Sequence, residues 1–143
     1  MLTCTEGALA FQYTHLILVP FSGVRSGDVR QAMNRVEEHE IELISAVLDQ
    51  ISGVPGITIY GPKTPEKRTS LVSFNLEDVS PMLVADKLNV TRVESRAGCH
   101  CATLAHYYYG LTPPASCRVS FYVYNDLKDV KAVCNSIKKC VQC

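Results

Sequence analysis

Residues 69–81, Thr69-Ser70-Leu71-Val72-Ser73-Phe74-Asn75-Leu76-Glu77-Asp78-Val79-Ser80-Pro81, switch from one periodicity to another. Leu71, Ser73 and Asn75 alternate with Val72, Phe74 and Leu76, which predicts a strand with one apolar face. Ser80-Pro81 then predicts a helix start, serine as N-cap and proline at the first helical position, running to about Leu88. Strand and helix in direct succession, with a second apolar run just upstream, point to a sheet covered by helices.

Working outward towards the N-terminus, Ile57-Thr58-Ile59-Tyr60 reads as a short strand turned by Gly61-Pro62, with Lys63 to Lys67 as a polar loop. Before it, Ser26-Gly27-Asp28 opens a long helix. Val29, Ala32, Met33, Val36, Ile41, Ile44, Val47, Leu48 and Ile51 recur at helical spacing until Ser52-Gly53-Val54-Pro55-Gly56 stops them. About 25 residues would make a helix of roughly 37 Å. His39, among glutamates, reads as a solvated side chain. His15 to Phe21 reads as a strand.

Towards the C-terminus, Asn89 to Glu94 is expected to be a short extended piece. A short helix is expected from about Cys101 to Tyr109, broken by Pro113-Pro114, and Tyr107-Tyr108-Tyr109 reads as packing. Cys117 to Tyr124 reads as a third clear strand, and Asp126 caps a final helix through Cys140 with Leu127, Val130, Val133 and Ile137 on one face. The order predicts an α+β fold, a small mostly antiparallel sheet covered by helices.

The 143 residues fit one domain, and 14 basic residues balance 14 acidic ones. Zero net charge gives no electrostatic reason to expect nucleic acid or an anionic membrane as partner. The run Leu16 to Phe21 is too short to span a bilayer. Seven cysteines, an odd number, follow a start that lacks the basic segment of a secretory leader. They read as mostly reduced thiols in the cytoplasm.

Chemistry concentrates in Arg96-Ala97-Gly98-Cys99-His100-Cys101-Ala102. Zinc would need four ligands in paired short spacings. Cys99, Cys101 and His106 could donate, but no second pair stands nearby, so no metal site is expected. Cys134 and Cys140 read as small residues on a helix flank. Cys101, in a glycine-containing loop before a helix, has the setting that lowers a thiol pKa. It is either a nucleophile or a buried structural thiol. Arg118 lies in an apolar strand, where it serves either a structural salt bridge or a bidentate clamp on a carboxylate.

Taken together, Val36 to Leu43, Pro55-Gly56-Ile57-Thr58-Ile59-Tyr60-Gly61-Pro62, Arg68 to Phe74, Arg96 to Ala102, Cys117-Arg118-Val119-Ser120-Phe121 and Tyr124-Asn125 resemble the C-terminal small domain of class V aminotransferase-family enzymes. The nearest branch is the sulfur-mobilisation cysteine desulfurases and the related selenocysteine lyases. The resemblance covers residues 35–143, and residues 1–34 match poorly. It implies the α+β C-terminal domain of fold-type I pyridoxal phosphate enzymes. It implies that Cys101 receives sulfur as a persulfide and that Arg118 binds the substrate carboxylate. Arg96, Cys99 and His100 are possible accessory residues, and Cys99 could compete for the sulfur.

The resemblance also implies pyridoxal phosphate on a lysine, in a large domain upstream. No lysine here stands in the family's His-Lys context, and no glycine-rich phosphate loop is present. The expectation is therefore a partial cysteine desulfurase-like enzyme, inactive alone. It would be completed by a large pyridoxal phosphate domain or a family-like homodimer partner, and could pass sulfur to an acceptor protein. The alternative is a non-catalytic sulfur-carrier or interaction module.

Overall fold

A computed structural model describes residues 26–141. The expected strand at His15–Phe21, and most of the poorly matched segment 1–34, lie outside the described residues. Helix α1 spans Ser26–Ile51. Strand β1 (Ile57–Tyr60), a 3-10 turn (Pro65–Lys67), β2 (Leu71–Leu76), α2 (Pro81–Val90), β3 (Arg96–Gly98), α3 (Thr103–Tyr108), β4 (Ser116–Ser120) and α4 (Leu127–Val141) follow. The four strands form one antiparallel sheet in the order β1-β2-β4-β3. The domain is α+β, as the alternation of apolar strands and amphipathic helices predicts.

One face of the sheet makes the core. Val72, Phe74 and Leu76 of β2 and Cys117 and Val119 of β4 are buried there. Leu43, Ile44, Val47, Leu48 and Ile51 of α1, Val84 and Leu88 of α2, and Val130, Val133, Ile137 and Cys140 of α4 pack with them. Strand periodicity sends alternate residues to the opposite face. That face carries Tyr60, Leu71, Ser73, Ser116 and Arg118, and α3 lies over it, so the space between becomes the cavity described below.

Local caps decide the element ends. Ser80 accepts a hydrogen bond from the Leu83 N–H at 3.2 Å, with Pro81 at the first helical position. At the other end of α2, the Val93 N–H bonds to Leu88 O and the Arg92 N–H to Asn89 O, with Arg92 at φ 62°. This is a Schellman stop, with buried Val93 beside buried Leu88. The Asp126 carboxylate accepts from the Lys128 and Asp129 N–H groups at 2.7 and 3.1 Å and starts α4.

Several expectations change. The piece Asn89 to Glu94 is not extended: α2 and its Schellman stop occupy it, and the extended segment is Arg96–Gly98, an edge strand of three residues. The strand expected to reach Tyr124 ends at Ser120. Asn125 turns the chain there, its Oδ1 accepting from the Tyr122 N–H and its own N–H donating to Tyr122 O, both at 2.9 Å. The first half of α1 leaves Val29 and Met33 exposed, so only its second half builds core. His39 is half-buried rather than solvated, with Nε2 2.9 Å from Asn125 O. The Tyr107 and Tyr108 rings are mostly exposed, whereas Tyr109 stacks on Tyr60 at 5.4 Å.

Candidate functional site

Register brings the site together. Tyr60 pairs with Ser73, Ser73 with Arg118, and Arg118 with Arg96, one row across all four strands. Paired residues point to the same side of a sheet, so the row puts two guanidinium groups side by side on the cavity face. Like charges directly opposite one another destabilise a sheet unless something screens them. Among the described residues no carboxylate pairs with Arg118, so the structural salt bridge weighed from the sequence is not found there.

The segment after β3 is a tight turn. The Ala102 N–H donates to Cys99 O at 2.7 Å, and the two central residues, His100 and Cys101, have φ 51° and 58°. Left-handed conformation at both centres defines a type I′ turn. Glycine or asparagine usually fills those positions, because each other L-residue costs roughly 1–2 kcal/mol there. Gly98 enters the turn at φ 132°, which only glycine adopts readily. Consequently Cys101 lies ahead of the helix: Ala102 is the N-cap of α3, and that cap has no side-chain hydrogen bond.

Two histidines and one serine hold the turn against the sheet. His106, on α3 and buried, places Nδ1 2.9 Å from Ala102 O and Nε2 2.9 Å from Ser116 Oγ. A carbonyl only accepts, so His106 carries its proton on Nδ1 and the Ser116 hydroxyl donates to Nε2. His100 Nε2 donates to the Ser116 backbone carbonyl at 3.0 Å. Burial lowers the His100 pKa, and the cations Arg118 and Arg96 and the His106 ring add to the fall, despite the opposing effect of the hydrogen bond His100 donates to the Ser116 carbonyl. His100 is therefore neutral at pH 7. The rings stand 6.1 Å apart. Ser116 and His106 were not singled out from the sequence as members of this site; strand alternation from Arg118 was the signal that would have found Ser116.

The thiols among the described residues divide into two groups. Cys99 and Cys101 are exposed, and Cys117, Cys134 and Cys140 are buried. Hydrogen bonding from the Cys101 backbone N–H, and next from Thr103, lowers the Cys99 thiol below the ordinary cysteine value. Burial pushes Cys117 and Cys134 up to about 11. The Cys101 amide of this loop thus serves the Cys99 sulfur.

The cavity between α3 and the sheet has a volume of ≈ 200 Å³. His100 and Arg118 line it; Cys99, Cys101 and Arg96 stand outside its wall. Its charged equipment is one guanidinium and its acid–base equipment two histidines. Pyridoxal phosphate needs an amine for its aldehyde and a carboxylate for its ring nitrogen. No lysine or acidic side chain lines the cavity, so its residues do not fit a complete site for that group. No three His, Cys, Asp or Glu side chains among the described residues converge to hold a metal ion. Among these residues, no helix is long and apolar enough to cross a membrane.

Residues 29–133 match the profile of the aminotransferase class-V family. A probable cysteine desulfurase of Halalkalibacterium halodurans is 40% identical over 107 residues, 75% of this chain and 25% of that protein. One from Staphylococcus aureus is 36% identical over 110 residues, 77% of this chain and 26% of its own length. The apo structure of a cysteine desulfurase from Thermococcus onnurineus superposes with a TM-score of 0.74 at 28% identity, covering 81% of this chain and 28% of that one. The chain spans about a quarter of the length of the curated relatives it matches.

Proposed function

We propose that this chain, which belongs to the aminotransferase class-V family, is the sulfur-accepting small domain of a cysteine desulfurase-like enzyme. The observation that carries this reading is an exposed thiol loop that follows β3 directly, beside an Arg118 that meets no carboxylate among the described residues. Arg118 binds the substrate carboxylate: its planar fork matches two oxygens, and no carboxylate among the described residues competes for it. Arg96, next to it in register, is an accessory cation. Cys101 accepts sulfur, becoming a persulfide at a solvent-exposed position where an acceptor protein could reach it. His100, held by Ser116, supports the turn that presents Cys101.

The relatives' cofactor chemistry is assigned to a portion not contained in these residues. Each of Lys63, Lys67, Lys87, Lys128, Lys131, Lys138 and Lys139 lies off the cavity wall, so no lysine here is the Schiff-base lysine. Activity then needs a large pyridoxal phosphate domain or a homodimer partner of the family's kind, in a reducing, cytoplasmic setting. The full chain mixed with pyridoxal phosphate and L-cysteine should give neither aldimine absorbance nor sulfide. Aldimine formation with sulfide release would refute the assignment. The second reading, a sulfur carrier without catalysis, rests on the same exposed Cys101 and is favoured if a persulfide donor loads Cys101 but no pyridoxal phosphate protein restores turnover.

A further inference from the structure

The two exposed thiols among the described residues belong to the same four-residue turn. Cys99 is its first residue and Cys101 its third, and the bond from the Ala102 N–H to Cys99 O closes it. Two trans peptides folded through such a turn hold first and third Cα atoms about 5.5 Å apart. A disulfide accepts Cα separations of roughly 4.4–6.8 Å. The Cys101 N–H bonds to the Cys99 sulfur, and that nitrogen is two bonds from the Cβ bearing the other sulfur. The buried Cys117, Cys134 and Cys140 offer no such pair at the surface.

We propose that Cys99 is the resolving thiol of Cys101: its thiolate attacks the inner sulfur of a Cys101 persulfide, closes a Cys99–Cys101 disulfide and expels hydrosulfide. The inference rests on the reading of Cys101 as the sulfur acceptor. The S–S bond within the persulfide breaks and a new S–S bond forms between the two cysteines. The outer sulfur leaves with the electron pair and the persulfide proton as HS⁻, reduced to sulfide, while the Cys99 sulfur is oxidised from thiolate to disulfide and the Cys101 sulfur keeps its oxidation level. One negative charge stands on each side.

Hydrogen bonding from the Cys101 N–H, and next from Thr103, favours the Cys99 thiolate, the species that attacks. Attack on the outer sulfur instead would expel the Cys101 thiolate. Hydrosulfide is the conjugate of a stronger acid than a cysteine thiol and leaves faster. Exposure of both residues lets sulfide depart and lets a small thiol reductant reopen the disulfide. On this account sulfur leaves the loop as free sulfide unless an acceptor takes it before Cys99 does.

The test uses the reduced full chain with glutathione persulfide as donor. The tryptic peptide 97–118 is weighed after alkylation, and sulfide is measured in the filtrate. The wild type should yield this peptide with Cys99 and Cys101 joined, two hydrogens lighter than the reduced form. In Cys99→Ser the same peptide should keep one extra sulfur on Cys101, and sulfide release should fall roughly tenfold. A wild type that stores the extra sulfur on Cys101 while Cys99 is alkylated overturns the inference, as does a Cys99→Ser chain that releases sulfide at the wild-type rate. A Cys99→Ser chain that takes no sulfur on Cys101 overturns the acceptor reading itself, and the inference with it.

Discussion

Arg92 and His100 share a left-handed backbone, at φ 62° and 51°, but differ in what their side chains hold. Replacing each with glycine therefore separates strain from anchoring. At Arg92 the side chain is exposed and makes no hydrogen bond or ion pair among the described residues. Glycine there removes roughly 1–2 kcal/mol of left-handed strain. It adds about 0.5–1 kcal/mol of unfolded-state entropy, so with both ranges near their centres Arg92→Gly should stabilise by about 0.5–1 kcal/mol. At His100 the backbone balance is the same, but the 3.0 Å bond from Nε2 to Ser116 O is lost. Such a bond contributes about 0.5–1.5 kcal/mol net. His100→Gly should then be neutral or destabilised by up to about 1 kcal/mol. For a chain of this size 1 kcal/mol is about 3–5 °C in Tm. Arg92→Gly should melt about 2–5 °C higher than wild type, and His100→Gly at or below the wild-type Tm. Urea titrations with equal slopes would give the same ranking. If His100→Gly gains as much as Arg92→Gly, the imidazole does not anchor the turn.

Ser116→Ala removes the hydroxyl that donates to buried His106 Nε2; leaving that nitrogen unsatisfied should cost about 1–3 kcal/mol, and a melting curve matching wild type would contradict the bond. The lowered His100 pKa gives a pH dependence with a definite sign. The unfolded imidazole takes its proton first, near its ordinary value of about 6.5, so this contribution is present above that pH and lost as pH falls below it. Replacing His100 with Gln should flatten that part of the stability curve in denaturant titrations, and an unchanged slope between wild type and variant would count against it. Iodoacetamide at pH 7.5 should label Cys99 well before Cys117 and Cys134, whose thiols sit at about 11; mass mapping of a time course reads the order, and early labelling of Cys117 would show that β4 opens.

The elements that could be read from the sequence are those whose own residues enforce them. Ser80-Pro81 and Asp126 carry their caps within a few positions, and β2 carries its alternation. β3 could not be read this way. Three residues, one of them glycine, show no period, and the strand exists because Arg96, Ala97 and Gly98 find β4 twenty residues on. The end of β4 was misplaced because Phe121 and Val123 continue the apolar alternation, whereas Asn125 imposes a turn and leaves Val123 exposed. In the site, residue types at short spacing marked Cys99, Cys101 and Arg118. The facing of Arg118 by Arg96 needs a strand register, and the two left-handed residues at His100 and Cys101 oppose local propensity, so neither could be read from the chain. His106 drew notice only as a zinc donor, because its partners, Ala102 O and Ser116 Oγ, become neighbours through the fold.

β4 alternates between two assignments. Cys117 and Val119 face the core, and Ser116 and Arg118 face the cavity. A slip of one residue against β2 would drive a guanidinium among Val72, Phe74 and Ile137 and turn Cys117 outward. Burying an unpaired charge there would cost more than a small domain's whole stability. The site residue thus proofreads the sheet: a chain paired in the wrong frame cannot fold around it. Single-residue insertions or deletions between Gly110 and Ser116 should be tolerated only when the loop absorbs them and leaves the pairing of Arg118 with Ser73 and Arg96 intact.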